Sequence, residues 1–528
     1  MKQSGFRRRR FLAGVGALSA PGIVRADNHR TLKFVPRPDL TILDPIVSGP
    51  RSTRTHAQMV FDTLYGVDEN FVAWPQMVEG HTVEQDGTVW TLRLRDGLRF
   101  HDGTPVLGRD VIASIRRFSA RDGYAASLMA VTAELSAPDD RTVRFRLSRP
   151  FINLPDALGG AGGYPAIMPE RLASTDPFRP LTEMVGSGPF RFLAPEFNAG
   201  QHAAYERFAD YRPRGDGKTS MLSGPKVVHF DRVEFISIGD PATAVGALLR
   251  GEVDWLEAPD TDQLPLLEKN PGITVKVYDT AGSIAFARFN QLHPPFNNPA
   301  ARRALIGAFD QAETMTAVAG ADRRYWHDRV GLFGPGSPLA NDAGVAIMDP
   351  PHDYEKVKRD LAAAGYNGEK ITVLAVAGNS FLPMIGQVGA DVLRRAGLNM
   401  DLVLMDAATQ TRRILNKAPP GQGGWHVAFF IMDCQMTANP GTNFFMRGNG
   451  EKAGPGWPSS PDIEATRDAW LDADKPDARM RIARDLQQLL WRDVPYIPMG
   501  HWVRYAAHRA NLADIQKGFA TFYGVRRA

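Results

Sequence analysis

The chain has 528 residues, 43% hydrophobic and 9% aromatic, about twice the length at which one hydrophobic core stops growing, so at least two lobes are expected. Its single cysteine, Cys434, excludes an intrachain disulfide. The formal charge of +4 arises at the N-terminus: residues 1–26 hold Lys2, Arg7, Arg8, Arg9, Arg10 and Arg25 and no acidic residue, and the 56 basic residues left from the total of 62 face 58 acidic ones. A balance near −2 carries no global bias toward nucleic acid or anionic membrane, and no basic run interleaved with aromatics follows residue 26.

Residues 1–26 read as a removable leader: a charged region at Arg7–Arg10, a mostly apolar run from Phe11 to Val24, and a small-residue cleavage context at Val24-Arg25-Ala26. Arg8-Arg9-Arg10-Phe11-Leu12 resembles the twin-arginine export motif, with the ordinary secretory route as the alternative. Cys434 lies far from the cleavage site, so no lipid anchor is expected, and no later apolar run reaches the ~18 residues of a membrane span. A periplasmic protein, neither tethered nor membrane-spanning, is the expectation.

Residues 31–35 read as a first strand, and His56 to Leu64 as a helix. In Val89–Arg95, Trp90, Leu92 and Leu94 alternate with polar residues, the period of a half-buried strand. Asp102-Gly103 turns the chain. From Asp110, Val111, Ile112, Ile115 and Phe118 recur at helical spacing, which leaves Arg116 and Arg117 in water. Thr142–Leu147 alternates again, and Gly186-Ser187-Gly188-Pro189 reads as a sharp turn.

Residues 210–225 read as a loop. Gly217-Lys218-Thr219 there imitates a phosphate-binding tail, but Arg212 stands where the leading glycine belongs. Asn298 caps a helix with Pro299 at its first position, and Asp353 caps another. Ile371–Ala377, a helix through Ile385, Val388, Val392 and Ala396, and Leu398–Met405 form a strand-helix-strand unit with parallel strands. A last helix spans roughly 477–491 before the chain returns through Val494 to Trp502.

The segment from residue 86 to residue 117 resembles the signature of the family 5 extracellular solute-binding proteins of ABC importers. Asp86-Gly87, Leu94, Arg95, Gly97, Phe100, His101, Asp102, Gly103, Thr104, Pro105, Asp110, Val111, Ser114 and Arg117 match its pattern. Leu43-Asp44-Pro45, Gly186-Ser187-Gly188-Pro189-Phe190, Leu248–Asp254 and Phe289-Asn290 resemble further family elements. His101 and Asp102 pose a choice between half a catalytic or metal constellation and a turn that satisfies its own backbone. The turn is the expectation.

The resemblance implies an α/β, two-lobed periplasmic-binding-protein fold with an extra subdomain in the first lobe. Lobe I is expected over 27–66, 180–283 and 491–528, with the subdomain at 67–179 and lobe II at 284–490. Chain crossings near 280–290 and 490–502 would form the hinge.

In peptide-binding relatives an aspartate in a G-W-x-x-D stretch holds the ligand's α-amino group. Here the corresponding stretch runs from Trp425 to Pro440; with Val427–Phe430 as the strand, the family's aspartate falls near Gln435, and Asp433 is the nearest carboxylate. A buried ammonium needs an opposite charge, so Asp433 is the expected anchor after a local shift. Trp425, Phe429, Met432, Gln435, Asn439 and Phe444 are the further ligand-binding candidates, although aromatics at strand spacing also serve as core.

The resemblance implies a binding protein, not an enzyme, that passes a small solute to a permease and its ATPase, with an oligopeptide or amino-acid-derived ligand ahead of a metal chelate or sugar. It implies a monomer without cofactor, resident metal or nucleic-acid partner. A sensory or chaperone-like module on the same fold is the alternative. A secreted hydrolase has little support, since neither H-E-x-x-H nor G-x-S-x-G occurs.

Overall fold

Strand β1 (Thr31–Val35) alternates buried and half-buried residues and lies inside the main sheet. The computed structural model describes residues 30–47, 50–160, 162–378 and 381–528, and the expected leader lies outside them. Helix α1 (Arg51–Val60) follows, then β2 (Val78–Glu84) and β3 (Val89–Leu94). Next come α2 (Gly108–Ser119), α3 (Gly123–Ala130), β4 (Thr132–Asp139) and β5 (Thr142–Leu147). Strands β6 (Phe190–Phe192), β7 (His202–Arg207), β8 (Arg232–Ile236) and β9 (Trp255–Leu256) lead into the long β10 (Ile273–Phe289). Helices α4 (Pro299–Ile306) and α5 (Tyr354–Ala363) precede β11 (Ile371–Val376), α6 (Phe381–Arg395), β12 (Met400–Met405) and β13 (Val427–Asp433). Helices α7 (Pro461–Asp472) and α8 (Pro476–Asp493) come before β14 (Tyr496–Arg509).

Among the described residues an eleven-stranded sheet runs in the order β12-β11-β13-β10-β14-β9-β1-β8-β7-β6, with Trp326–His327 paired to β14 off this path. Its two halves are α/β units. β11 pairs in parallel with β12 and β13, and β1 in parallel with β8 and β9. The antiparallel pair β10 and β14 joins them, and its register shifts around Val277–Ser283 and again at Ala285/Phe286. Bulges bend a strand pair without breaking it, so two continuous strands serve as the connection between the lobes.

A separate antiparallel sheet, β2-β3-β5-β4, forms the added subdomain. Trp90, Leu92, Leu94, Val143, Phe145 and Leu147 point to one face and pack with Val111 and Ile115 of α2. The family-like signature is a set of clamps within this region. Asp110 accepts from Leu107 N and Glu170 N, capping α2 and tying it to the next segment. His101 Nε2 lies 3.0 Å from Gly188 O, and His101 N donates to Gly186 O. Asp102 accepts from Thr104 in a turn that Gly103 closes at φ +85°. Gly186 has no room for a side chain, since a Cβ there would stand 2.0 Å from Val60 O.

Four local expectations shift. Helix α1 covers Arg51–Val60 rather than 56–64, because its first turn carries buried polar groups with no apolar period. Arg117 is buried, not wet: it pairs with Asp44 at 2.8 Å and donates to the carbonyls of Thr175, Asp176 and Arg179. Arg116 is exposed, as expected. Strand β13 continues through Asp433, which pairs with Ser283 of β10. Helix α7 was not foreseen, although Ser460 caps it and Pro461 opens it.

Candidate functional site

All ten residues of α1 are buried, including the polar set Arg51, Arg54, Thr55 and Gln58, whose 3- and 4-residue spacing places them on one face. Arg51 reaches Glu257 at 3.4 Å, Asp279 at 2.9 Å and Asp433 at 3.3 Å. Its guanidinium lies 4.6 Å from the Phe519 ring. Arg504 of β14 completes the cluster, donating to Asp433 Oδ1 at 2.6 Å and to Ser283 Oγ at 2.8 Å. Ser283 Oγ also donates to Asp433 Oδ1 at 2.8 Å.

Burial alone would push the Asp433 carboxyl up, but Arg504 and Arg51 beside it hold it well below the usual carboxylate range. Burial pushes Glu257 and Asp279 up, with Arg51 opposing it at both. A helix of one half of the sheet, the end of β13 in the other half and both connecting strands therefore meet in one ionic knot.

Beside it opens a cavity of about 410 Å3. One wall comes from Pro45–Val47 and Arg54, another from Phe118, Arg121, Asp122 and Tyr124 around the α2–α3 turn, and the third from Met436, Thr442, Asn443, Phe444 and Arg447 after β13. The walls are in contact: a Cβ on Gly441 would touch the Tyr124 ring at 2.7 Å, and one on Gly162 would touch Thr442 at 3.1 Å. A recess of about 630 Å3 is larger, but residues 68–75 and 214–224 line it from one side of the molecule only.

Within the cavity Arg54 is buried; its Nη2 donates to Gly160 O at 3.0 Å and its guanidinium stands 4.6 Å from the Phe519 ring. Burial lowers its pKa to about 10, against the pull of Asp433, so it remains protonated at neutral pH. Arg447 is paired with Glu464 at 2.7 Å. Asp122 caps α3, accepting from Tyr124 N and Ala125 N at 2.9 Å each. Burial pushes its carboxyl up, and those amides oppose the shift.

Of the sequence candidates, Phe444 lines the cavity and is 47% exposed. Asp433 lies in the ionic knot with two guanidiniums already on its carboxylate. Phe429 packs under α6, where a Cβ on Gly389 would stand 2.1 Å from its ring. Trp425 is fully buried against Trp457, its indole N–H on Ile414 O at 3.1 Å. Met432 is in the core. Gln435 is buried, and its amide has no hydrogen-bond partner among the described residues. Asn439 Oδ1 closes a turn by accepting from Gly441 N and Thr442 N. Sequence reasoning did not single out Arg51, Arg54, Arg121 or Arg504. The one available signal was the Arg51/Arg54 pair at helical spacing.

Comparison with known proteins agrees with the fold. The family model described as bacterial extracellular solute-binding proteins, family 5, matches residues 73–436. A probable peptide ABC transporter periplasmic-binding protein, y4tO, of Sinorhizobium fredii is 34% identical over 518 residues, covering 96% of this chain and 97% of the relative. The glutathione-binding protein GsiB of Salmonella typhi is 24% identical, with 95% of each chain covered. Among solved structures, AgaA from A. tumefaciens R10 in complex with agropinic acid superposes with a TM-score of 0.78 at 22% identity, covering 94% of this chain and 99% of its own. The Helicobacter pylori protein DppA in complex with peptide STSA gives 0.77 at 19% identity, covering 94% and 98%. Matching over most of its length, the chain belongs to the bacterial extracellular solute-binding proteins, family 5.

Proposed function

We propose that this protein is the solute-capturing component of an ABC importer, closing two lobes on an oligopeptide or amino-acid-derived solute and delivering it to a membrane permease and its ATPase. The observation that carries the reading is a cavity walled from both sides of a two-strand connection, with register shifts in that connection. Such strands allow the lobes to swing as near-rigid bodies, so a solute that touches both walls favours the closed state. Moving a closed population from about 1% to 99% takes about 5.5 kcal/mol of differential affinity. Contacts on both walls supply that difference, since an open cleft offers a solute only one wall at a time.

The relatives' names support the ligand class, one being called a peptide transporter component and another glutathione-binding. They also support a periplasmic location. Among the described residues, no helix is long and apolar enough to cross a membrane. His101, Asp102 and Asp110 are clamps in this reading and take no part in chemistry.

Thermal unfolding of the exported protein against di- and tripeptides, glutathione and opine-type conjugates tests the proposal. A true ligand at about 100 times its Kd adds roughly 2.7 kcal/mol of stability and compacts the molecule in small-angle scattering. A protein that neither stabilises nor compacts with any solute, and that releases none on denaturation, is not a capture protein.

A further inference from the structure

Two carboxylates near the cleft are already engaged, and the cleft's own lining is cationic. Among the described residues, Arg54, Arg121 and Arg447 contribute three guanidiniums to the cavity, against the single carboxylate of Asp122. Arg447 is neutralised by Glu464 behind it, through Nε at 3.0 Å and Nη2 at 2.7 Å. The carboxylate of Asp122 is turned onto the first amides of α3.

Arg121 is the exposed cation at the mouth. Its guanidinium rests 4.9 Å from the Phe178 ring, itself 64% exposed, and no ion pair to it is present among the described residues. Arg54 places a second positive charge on another wall. Asp433, the one carboxylate suited by sequence to hold an ammonium, carries Arg51 and Arg504 and accepts from Ser283. A carboxylate offers about four acceptor positions, of which these donors fill three, and the Asp433 side chain is only 12% exposed, so an incoming amine would meet two guanidiniums already in place.

We propose that the cleft selects a compact anionic solute, anchored through a carboxylate by Arg121 and the positive wall of Arg54, and makes no use of Asp433 as an amine anchor. This rests on the reading of the cavity as the capture site. Guanidinium is suited to the task, since it meets a carboxylate through two parallel hydrogen bonds. A volume of about 410 Å3 sits near the lower end of small-molecule sites, which suits a di- or tripeptide-sized conjugate and not a long peptide. Tyr124, Phe118, Met436 and Phe444 supply the apolar part of the lining, so the solute's body is expected to be apolar or planar beyond its acid group.

The test uses matched probes on the exported full-length protein: glutathione against its diethyl ester, and Ala-Glu against Ala-Gln, titrated calorimetrically into the wild type, Arg121→Gln and Arg121→Lys. The acid of at least one pair should bind at least tenfold more tightly than its neutralised partner. Arg121→Gln should remove most of that preference, Arg121→Lys should retain part of it, and raised salt should weaken the acid selectively. The melting temperature of the ligand-free variants should stay near that of the wild type, since Arg121 is exposed. Equal or tighter binding of the ester or amide, or an unchanged preference in Arg121→Gln, overturns the charge assignment while leaving solute capture standing. No binding of any probe, together with no solute released from the denatured protein, overturns capture and the charge assignment together. A released solute that migrates as a cation overturns the charge assignment alone.

Discussion

The ionic knot at Asp433 and the cavity beside it are built from the same kinds of residue and do opposite things. In the knot, two guanidiniums meet three carboxylates with a serine between them, and the side chains of Arg51, Glu257 and Asp279 are almost wholly shielded from water. In the cavity, Arg121 lies open over an exposed aromatic ring, and Asp122, the lining carboxylate, is occupied with a helix cap. Charge that is saturated by protein is structure; charge that faces a cavity without an ion pair, as Arg121 does among the described residues, is a demand on the solute. The knot joins lobe to lobe, and the cavity asks for what the knot already has.

The sharpest way to break that contrast is Asp433→Asn. Removing one charge leaves the buried Arg51 and the half-buried Arg504 beside a neutral amide, and loss of a buried partner costs about 3–5 kcal/mol, read by chemical unfolding. If Asp433 were an amine anchor facing an open cleft, the variant would lose affinity and keep its stability.

The pH dependence has a definite sign. The folded pKa of Asp433 is depressed, so its contribution is fully present above the unfolded value of about 4 and is lost as pH falls below it. Glu257 and Asp279 are raised by burial, so they cost stability at neutral pH and relieve that cost on acidification. The drop in melting temperature between about pH 5 and pH 3 should therefore be smaller in Asp433→Asn than in the wild type.

Arg117 and Arg116 make a paired comparison on one helix. Arg117→Met, which leaves Asp44 buried and unpaired, should cost about 3 kcal/mol, whereas Arg116→Ala at an exposed position should stay within about 0.5 kcal/mol. Equal effects would mean that the buried pair is not formed. Phe444→Ala sharpens the cavity side: solute affinity should fall roughly tenfold, about 1.4 kcal/mol, with little change in unfolding. Trp425→Phe removes one buried hydrogen bond, worth about 1 kcal/mol, and should leave affinity unchanged, because Trp425 packs in a cluster with Trp457 away from the cavity.

Local elements with a local signal were legible in the sequence. Asn298 does accept from Ala300 N and Pro299 does open α4; Asp353 does cap α5; β5 covers Thr142–Leu147; and β11, α6 and β12 form the foreseen parallel unit. Caps and alternation depend on neighbours a few residues away, so they can be read in one dimension. The burial of Arg117 depends on Asp44, 73 residues earlier, and that of Arg51 on Asp433, 382 residues later. Both aspartates were visible in the sequence, but neither pairing leaves a mark in the surrounding pattern. The start of α1 was missed for the same reason, since a polar run reads as exposed unless its counter-charges are known.

The sequence by itself determined the family signature, the Asp102 turn and the α/β character of both halves, because these rest on short-range geometry and a fixed order of residues; the His101 clamp, by contrast, reaches Gly188, 87 residues later. Only the tertiary structure decided which charges are spent and which are offered: whether a carboxylate can receive a ligand depends on the cations folded against it, and in this chain those come from α1 and from β14, at opposite ends of the sequence.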